Sequence, residues 1–230
     1  MKLISDFFEN AFELKFKELN ILVIENKQFF RRLIYDLKES VSGNESYFKI
    51  IENLEEKDLS KMSVFITDVF DININESKII NKIYNILIEE SNGSELYDQK
   101  IKFEKEINKF IEELIFRFDY DLTYDHIDYK NIFKGVNLHI EDNFQGLMEK
   151  LLEYIDISYK LLDKKIFFIL NLNCYFNSDE LEELKRYLCY NNVVVVLLQN
   201  RLDSEIQKSE NIKIIDSDLD DIWIYSTLKP

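Results

Sequence analysis

Carboxylates are the side chains in this sequence best spaced for chemistry. The densest run is Asp119-Tyr120-Asp121-Leu122-Thr123-Tyr124-Asp125-His126-Ile127-Asp128. Acids that alternate in a turn, with backbone carbonyls close by, are what a hard cation such as Ca²⁺ takes, because it gathers about six to eight oxygen ligands in flexible geometry. The run lacks the central glycine and closing glutamate of an EF-hand loop. It would be a calcium site of another kind, or a solvated turn. Two other acidic groups compete with it. Thr67-Asp68-Val69-Phe70-Asp71 follows an apolar run, and a metal-dependent phosphohydrolase or nuclease could use Asp68 and Asp71 with Mg²⁺ or Mn²⁺. The spacing is not the Asp-x-Asp of phosphohydrolases, and an aspartate at a strand end commonly caps the next helix. Asp216, Asp218, Asp220 and Asp221 crowd the C-terminal segment and read as solvated charge.

Other chemistries are poorly supplied. His126 and His139 lie in no Gly-x-Ser-x-Gly or Cys/His setting. Cys174 and Cys189 form no Cys-x-x-Cys pair, so zinc has no ligand set, and the two read as reduced, half-buried thiols. Phosphate loops need glycine so that backbone N–H groups can approach phosphates without a Cβ between. The chain has four glycines (Gly43, Gly93, Gly135 and Gly146) and neither a Gly-x4-Gly-Lys nor a Gly-x-Gly-x-x-Gly pattern. A working nucleotide site is excluded on that ground. Basic residues occur in small groups, among them Lys27, Arg31 and Arg32, then Lys57 and Lys61. They become a nucleic-acid surface only if folding or assembly gathers them on one face.

Five short apolar runs must position these groups: 20–24, 63–67, 165–170, 192–198 and 212–215. Each is rich in β-branched or aromatic residues. Several are apolar on both alternating faces, which predicts a parallel sheet covered by helices on both sides. Phe29, Phe30, Leu33, Ile34 and Leu37 repeat at helical spacing after the first run. Leu181, Leu184 and Leu188 do so before the fourth, with a helix start at Ser178-Asp179-Glu180. Residues 12–16 alternate like an edge strand. Between residues 76 and 162 the pattern is helical, with three apolar stripes: Ile79 to Leu87, Ile101 to Phe118, and Phe144 to Leu162. Stripes of this kind make a mutual core or a seam for a partner helix. The fold class is therefore α/β, with an α/β domain built from residues 1–75 and 163–230 and a helical domain from 76–162.

The chain has 230 residues, 44 acidic against 29 basic, a net charge of −15 and a single proline at its end. The hydrophobic fraction of 46% is that of a globular chain, and the paucity of glycine and proline excludes collagen-like and turn-dense all-β folds. No apolar stretch is long enough to cross a membrane, and no signal-peptide pattern opens the sequence. A soluble, cytoplasmic protein without a membrane partner is expected. The acidic excess runs through every part of the chain and opposes binding to a phosphate backbone by the surface as a whole.

The order Ile21-Leu22-Val23-Ile24-Glu25, Val64-Phe65-Ile66-Thr67-Asp68, a helical insertion, the acidic turn 119–125, Lys164-Lys165-Ile166-Phe167-Phe168-Ile169-Leu170-Asn171 and Val193-Val194-Val195-Val196-Leu197-Leu198 resembles the small accessory CRISPR adaptation proteins of type II-A loci, over nearly the whole chain. The resemblance implies a head domain with a nucleotide-binding-like parallel sheet that has lost its phosphate loop, plus an inserted helical leg domain. It implies a homotetrameric ring that accepts double-stranded DNA ends and supports spacer acquisition without being an enzyme. Its partners would be the CRISPR integrase proteins and the RNA-guided nuclease of the same locus. Calcium near the head–leg junction is implied as well, with Asp119, Asp121 and Asp125 as ligands and Asp128 as a weaker one. Thr123 departs from the family, which carries a further acid there. Lys57, Lys61, Lys27 and Arg31 are the basic residues placed for DNA. The alternatives are a metal-dependent nuclease or phosphohydrolase, and a helical scaffold indifferent to DNA.

Overall fold

The computed structural model describes residues 1–44, 47–202 and 211–224. The chain divides into two compact units, Met1–Asn73 with Asn143–Pro230, and Ile74–Asp142.

The first unit holds two sheets. β1 (Lys2–Ser5), β2 (Phe12–Glu13), β4 (Phe48–Glu52) and β5 (Glu55–Lys57) form an antiparallel sheet in the order β2-β1-β4-β5. The larger sheet runs β10-β9-β3-β8-β7-β6, from β3 (Leu19–Ile24), β6 (Ser63–Ile66), β7 (Ile166–Leu170), β8 (Val194–Gln199), β9 (Asn211–Ile215) and β10 (Asp221–Ile224). All its pairings are parallel except β9 with β10. All five apolar runs are strands of this sheet. The reason is burial on both faces: every residue of β3 and β8 is buried, as continuous apolar strands require.

Helix α1 (Lys27–Val41) follows β3 directly. Asn26 caps it by accepting from the N–H groups of Gln28 and Phe29. Leu33 and Leu37 enter one core with Leu3, Phe12, Phe48 and Ile50 of the small sheet and with Leu22, Ile24, Phe168 and Val196 of the large one. Short α2 (Leu59–Met62) leads into β6. The Asn211 amide donates to Asn20 Oδ1 at 2.7 Å, and the Asn20 amide donates to the Val195 carbonyl at 3.1 Å. A buried amide left without partners is costly, so this chain of bonds fixes the register of β9, β3 and β8. Helix α7 (Ser178–Tyr190) begins where the sequence places it, one residue after Asn177, which forms a capping box with Glu180.

The second unit contains α3 (Ser77–Ser91), α4 (Tyr97–Ile115) and α5 (Tyr129–Gly135). Here the structure differs from expectation in two ways. The third apolar stripe is α6 (Leu147–Leu162), and it groups with the first unit rather than with the helical insertion. Six of its residues are buried, Leu151 and Ile155 completely. The stripe is therefore part of the α/β core, which a periodicity argument cannot distinguish from a helix-to-helix seam. The long stripe of α4, by contrast, contributes no buried residue. Other expectations are refined. Residues 12–16 supply a two-residue strand, and β1, β4 and β5 are strands that no long apolar run announces. Cys174 and Cys189 are exposed rather than half-buried.

Candidate functional site

The acidic turn lies within the second unit, between α4 and α5. Asp119, Asp121, Asp125 and Asp128 are all exposed. Asp128 caps α5, accepting from the Lys130 N–H at 2.9 Å. Asp125 lines a cavity of about 540 Å³ with Glu104, Asn108, Tyr124, His126 and Ile127. The neighbouring polar groups are already engaged. The Tyr129 hydroxyl donates to Glu104 at 3.0 Å, and burial together with that bond pushes Tyr129 up to about 12. The Lys100 ammonium lies 4.9 Å from the centre of the Tyr129 ring, a cation–π distance. The Tyr124 hydroxyl donates to Glu112 at 3.3 Å, and partial desolvation followed by the Glu112 charge raises it too. Carboxylates and an amide around a polar cavity are the donor type that calcium takes. Their placement does not complete a site: among the described residues no three His, Cys, Asp or Glu side chains lie close enough to hold a metal ion.

Beside this turn, α4 half-buries Ile101, Ile107, Ile111 and Ile115 of its apolar stripe and leaves the larger side chains uncovered. Phe110 is 61% exposed, Phe116 at its C-terminal end 91%, and Phe103, Leu114 and Phe118 are exposed as well. Contiguous apolar surface of this kind marks a face that another surface covers.

The four basic candidates fall into two pairs, all in the first unit. Lys27 and Arg31 are exposed on the first turns of α1 and form no ion pair among the described residues. Lys57 closes on Glu55 at 2.5 Å, and this bond raises Lys57 while it lowers Glu55. Lys61 sits 3.7 Å from Asp58. Arg201, which the sequence pattern does not single out, lines a cleft of about 410 Å³ with Glu25, Lys27, Asn200 and Leu202. The signal available for it is position: it lies two residues beyond the end of β8, and β8 neighbours β3.

The sheet reverses its order at β3, and in open α/β sheets nucleotides bind at such a point, beyond the carboxyl ends of the strands. Here only Glu25 and Asn26 separate β3 from α1, so there is no loop to surround a phosphate. Asp68 accepts from the Phe70 N–H at 2.8 Å and closes its own turn. Asp216 accepts from the N–H groups of Asp218 and Asp220 and closes the β9–β10 turn. Asp221 is not solvated, contrary to the expectation from composition: its side chain is 1% exposed and paired with that of Lys213, 0% exposed. The signal for this is a lysine in the middle of an apolar strand.

Comparison with known proteins places the sequence among relatives of one family. The family described as CRISPR-associated protein (Cas_Csn2) matches residues 41–219. A protein of Enterococcus faecalis named CRISPR-associated protein Csn2 is 25% identical over 191 residues, covering 82% of this chain and 86% of the relative. One of the same name from Streptococcus agalactiae is 24% identical over 189 residues, covering 79% and 81%.

Proposed function

The chain belongs to the Csn2 family of CRISPR-associated proteins, and from that premise we propose that it is a non-enzymatic ring of four copies that binds double-stranded DNA ends during spacer acquisition. The observation that carries this reading is the apolar stripe of α4, none of whose residues is buried in the single chain. A helix of 19 residues with exposed phenylalanines is unfinished in water, and assembly finishes it. The loopless junction between β3 and α1 supports a role without nucleotide turnover.

Four copies carry four times the −15 charge of one. Repulsion then confines DNA to whatever basic lining the assembly gathers, of which Lys27 and Arg31 are the least neutralised members and Lys57 and Lys61 the most. Contacts to phosphates make binding independent of sequence and steeply weaker with salt. Calcium is part of the proposal, with Asp119, Asp121 and Asp125 as donors and Asp128 as a weaker one. Since these carboxylates do not converge as they stand, binding must be coupled to a rearrangement of the turn. The integrase proteins and RNA-guided nuclease of the locus are the proposed partners, and the cytoplasm the proposed site of action.

The test is retention of linear against closed-circular duplex on purified protein, in calcium and in chelator, with native mass measured in parallel. The expected result is a four-copy species that holds linear DNA, leaves it uncut and releases it in high salt. A monomer in both conditions overturns the ring. Cleavage with Mn²⁺ overturns the non-enzymatic reading.

A further inference from the structure

The least expected polar group in the α/β unit is Lys213, in the middle of β9, with its side chain fully buried. Asp221 at the start of β10 lies diagonally across from it. Trp223 is the direct partner of Lys213, and Asp221, two residues earlier, shares that face. Lys213 Nζ is in contact with Asp221 Oδ2 and donates to the Asn10 carbonyl at 3.1 Å. The Asn10 N–H donates to the same Oδ2, also at 3.1 Å. The Phe8 ring centre is 5.1 Å from Nζ. The other carboxylate oxygen, Asp221 Oδ1, is buried with no hydrogen-bond partner among the described residues.

As an ion pair this arrangement is poorly balanced. A buried carboxylate needs partners for both oxygens, and a bare one is among the costlier defects a core can hold. As an amide the contacts to Asn10 balance. An amide between the two side chains retains Oδ2 as its carbonyl oxygen, which keeps the Asn10 N–H, and one Nζ–H, which keeps the Asn10 carbonyl. The atom it discards is Oδ1, the one without a partner.

We propose that Lys213 and Asp221 condense into an intramolecular isopeptide bond that joins β9 to β10. The low-dielectric surroundings favour transfer of the lysine proton to the carboxylate, which turns the ion pair into an amine and a carboxylic acid. Burial does push the Lys213 ammonium down, against the opposing pull of Asp221. The Nζ lone pair forms a bond to Asp221 Cγ, the Cγ–Oδ1 bond breaks, and Oδ1 leaves as water with its own proton and one from Nζ. No oxidant, reductant or cofactor enters. The Asn10 N–H on Oδ2 polarises the carbonyl and receives the charge that builds there as Nζ adds.

The test is the intact mass of the full-length wild-type chain under denaturing conditions, followed by digestion after lysine. The expected mass is about 18 Da below that of the sequence, the loss of one water. Digestion should fail at Lys213 and yield a single light peptide running through it from Ser209 to the C-terminus. A cyclic imide at an aspartate also loses water but leaves Lys213 open to cleavage, so the two observations together separate them. Asp221→Asn should release ammonia instead and reach the same final mass. Lys213→Arg should retain its full sequence mass. A wild-type chain at full sequence mass, cut at Lys213, overturns the proposal whether or not any variant folds.

Discussion

The two units of the chain use their apolar side chains in opposite ways. In the α/β unit the strands β3 and β8 are buried at every position, and α1, α6 and α7 each bury a stripe. In the helical unit the longest helix, α4, is amphipathic yet buries no residue fully, its isoleucines being half-buried and its phenylalanines exposed. Hydrophobic patterning alone therefore does not say whether a residue stabilises its own chain. A strand apolar on both faces has to be covered by the same fold, whereas a helix apolar on one face can wait for another molecule.

The sharpest way to break this contrast is to delete one phenylalanine from each unit. Phe168→Ala in β7 should cost about 3–5 kcal/mol of unfolding free energy, and Phe110→Ala in α4 should cost the monomer no more than about 0.5 kcal/mol. Urea denaturation at low protein concentration measures both, and equal losses would erase the distinction. The second probe asks what α4 does instead. Phe110→Asp with Leu114→Asp should shift native mass to smaller species and weaken retention of linear DNA by about tenfold, through lost multivalency. Unchanged mass would show that α4 is not the assembly face.

A third comparison sharpens the basic residues. Lys27→Ala with Arg31→Ala should lower the slope of log affinity against log salt by about 2 for each copy that contacts DNA, one for each phosphate no longer neutralised. Lys57→Ala with Lys61→Ala should lower it by less, because Glu55 and Asp58 already share those charges. A fourth tests local order in the α/β unit: Asn177→Ala removes the capping box of α7 and should cost about 1 kcal/mol by the same melt. The smallest effect lies in the helical unit. Tyr129 holds its proton more tightly folded, up to about 12 against an ordinary 10.0. The stability this contributes is complete below the unfolded value and disappears as pH rises through the folded one. Ultraviolet titration of wild type against Glu104→Gln should show one tyrosine ionising earlier in the variant, with any difference in stability constant below the unfolded value and shrinking only as pH rises from there through the folded one.

Much of the larger sheet was legible because its strands are nearly pure β-branched and aromatic runs, a pattern set by two-sided burial. The small sheet was not, because its strands are short and one-sided. Phe48-Lys49-Ile50 alternates over too few residues to stand out, and Glu55-Glu56-Lys57 is charged throughout. The ownership of α6 was hidden for another reason: a helical stripe records that a face is covered and not by what. For the candidate site, the sequence supplied oxygen donors in the acidic turn but no geometry, since convergence depends on backbone dihedrals that spacing does not determine. It also assigned Asp221 to solvent. Composition made the C-terminal acids look alike, and only pairing β9 with β10 sets Asp221 apart from Asp216, Asp218 and Asp220.

The central strand of the larger sheet has a temporal consequence. β3 pairs with β8 and β9, both near the far end of the chain. During synthesis at about 5–20 residues per second, β3 must wait on the order of 10–30 s for its first neighbour. Through that interval it is a largely apolar strand with both edges open, flanked in the chain by strands of the small sheet and followed by a helical segment that is already complete. The nascent chain is thus most vulnerable to aggregation after the helical unit has emerged and before β8 has. A ribosome pause placed between residues 142 and 194 would lengthen that exposure, and a holding chaperone acting on this chain has its greatest effect there.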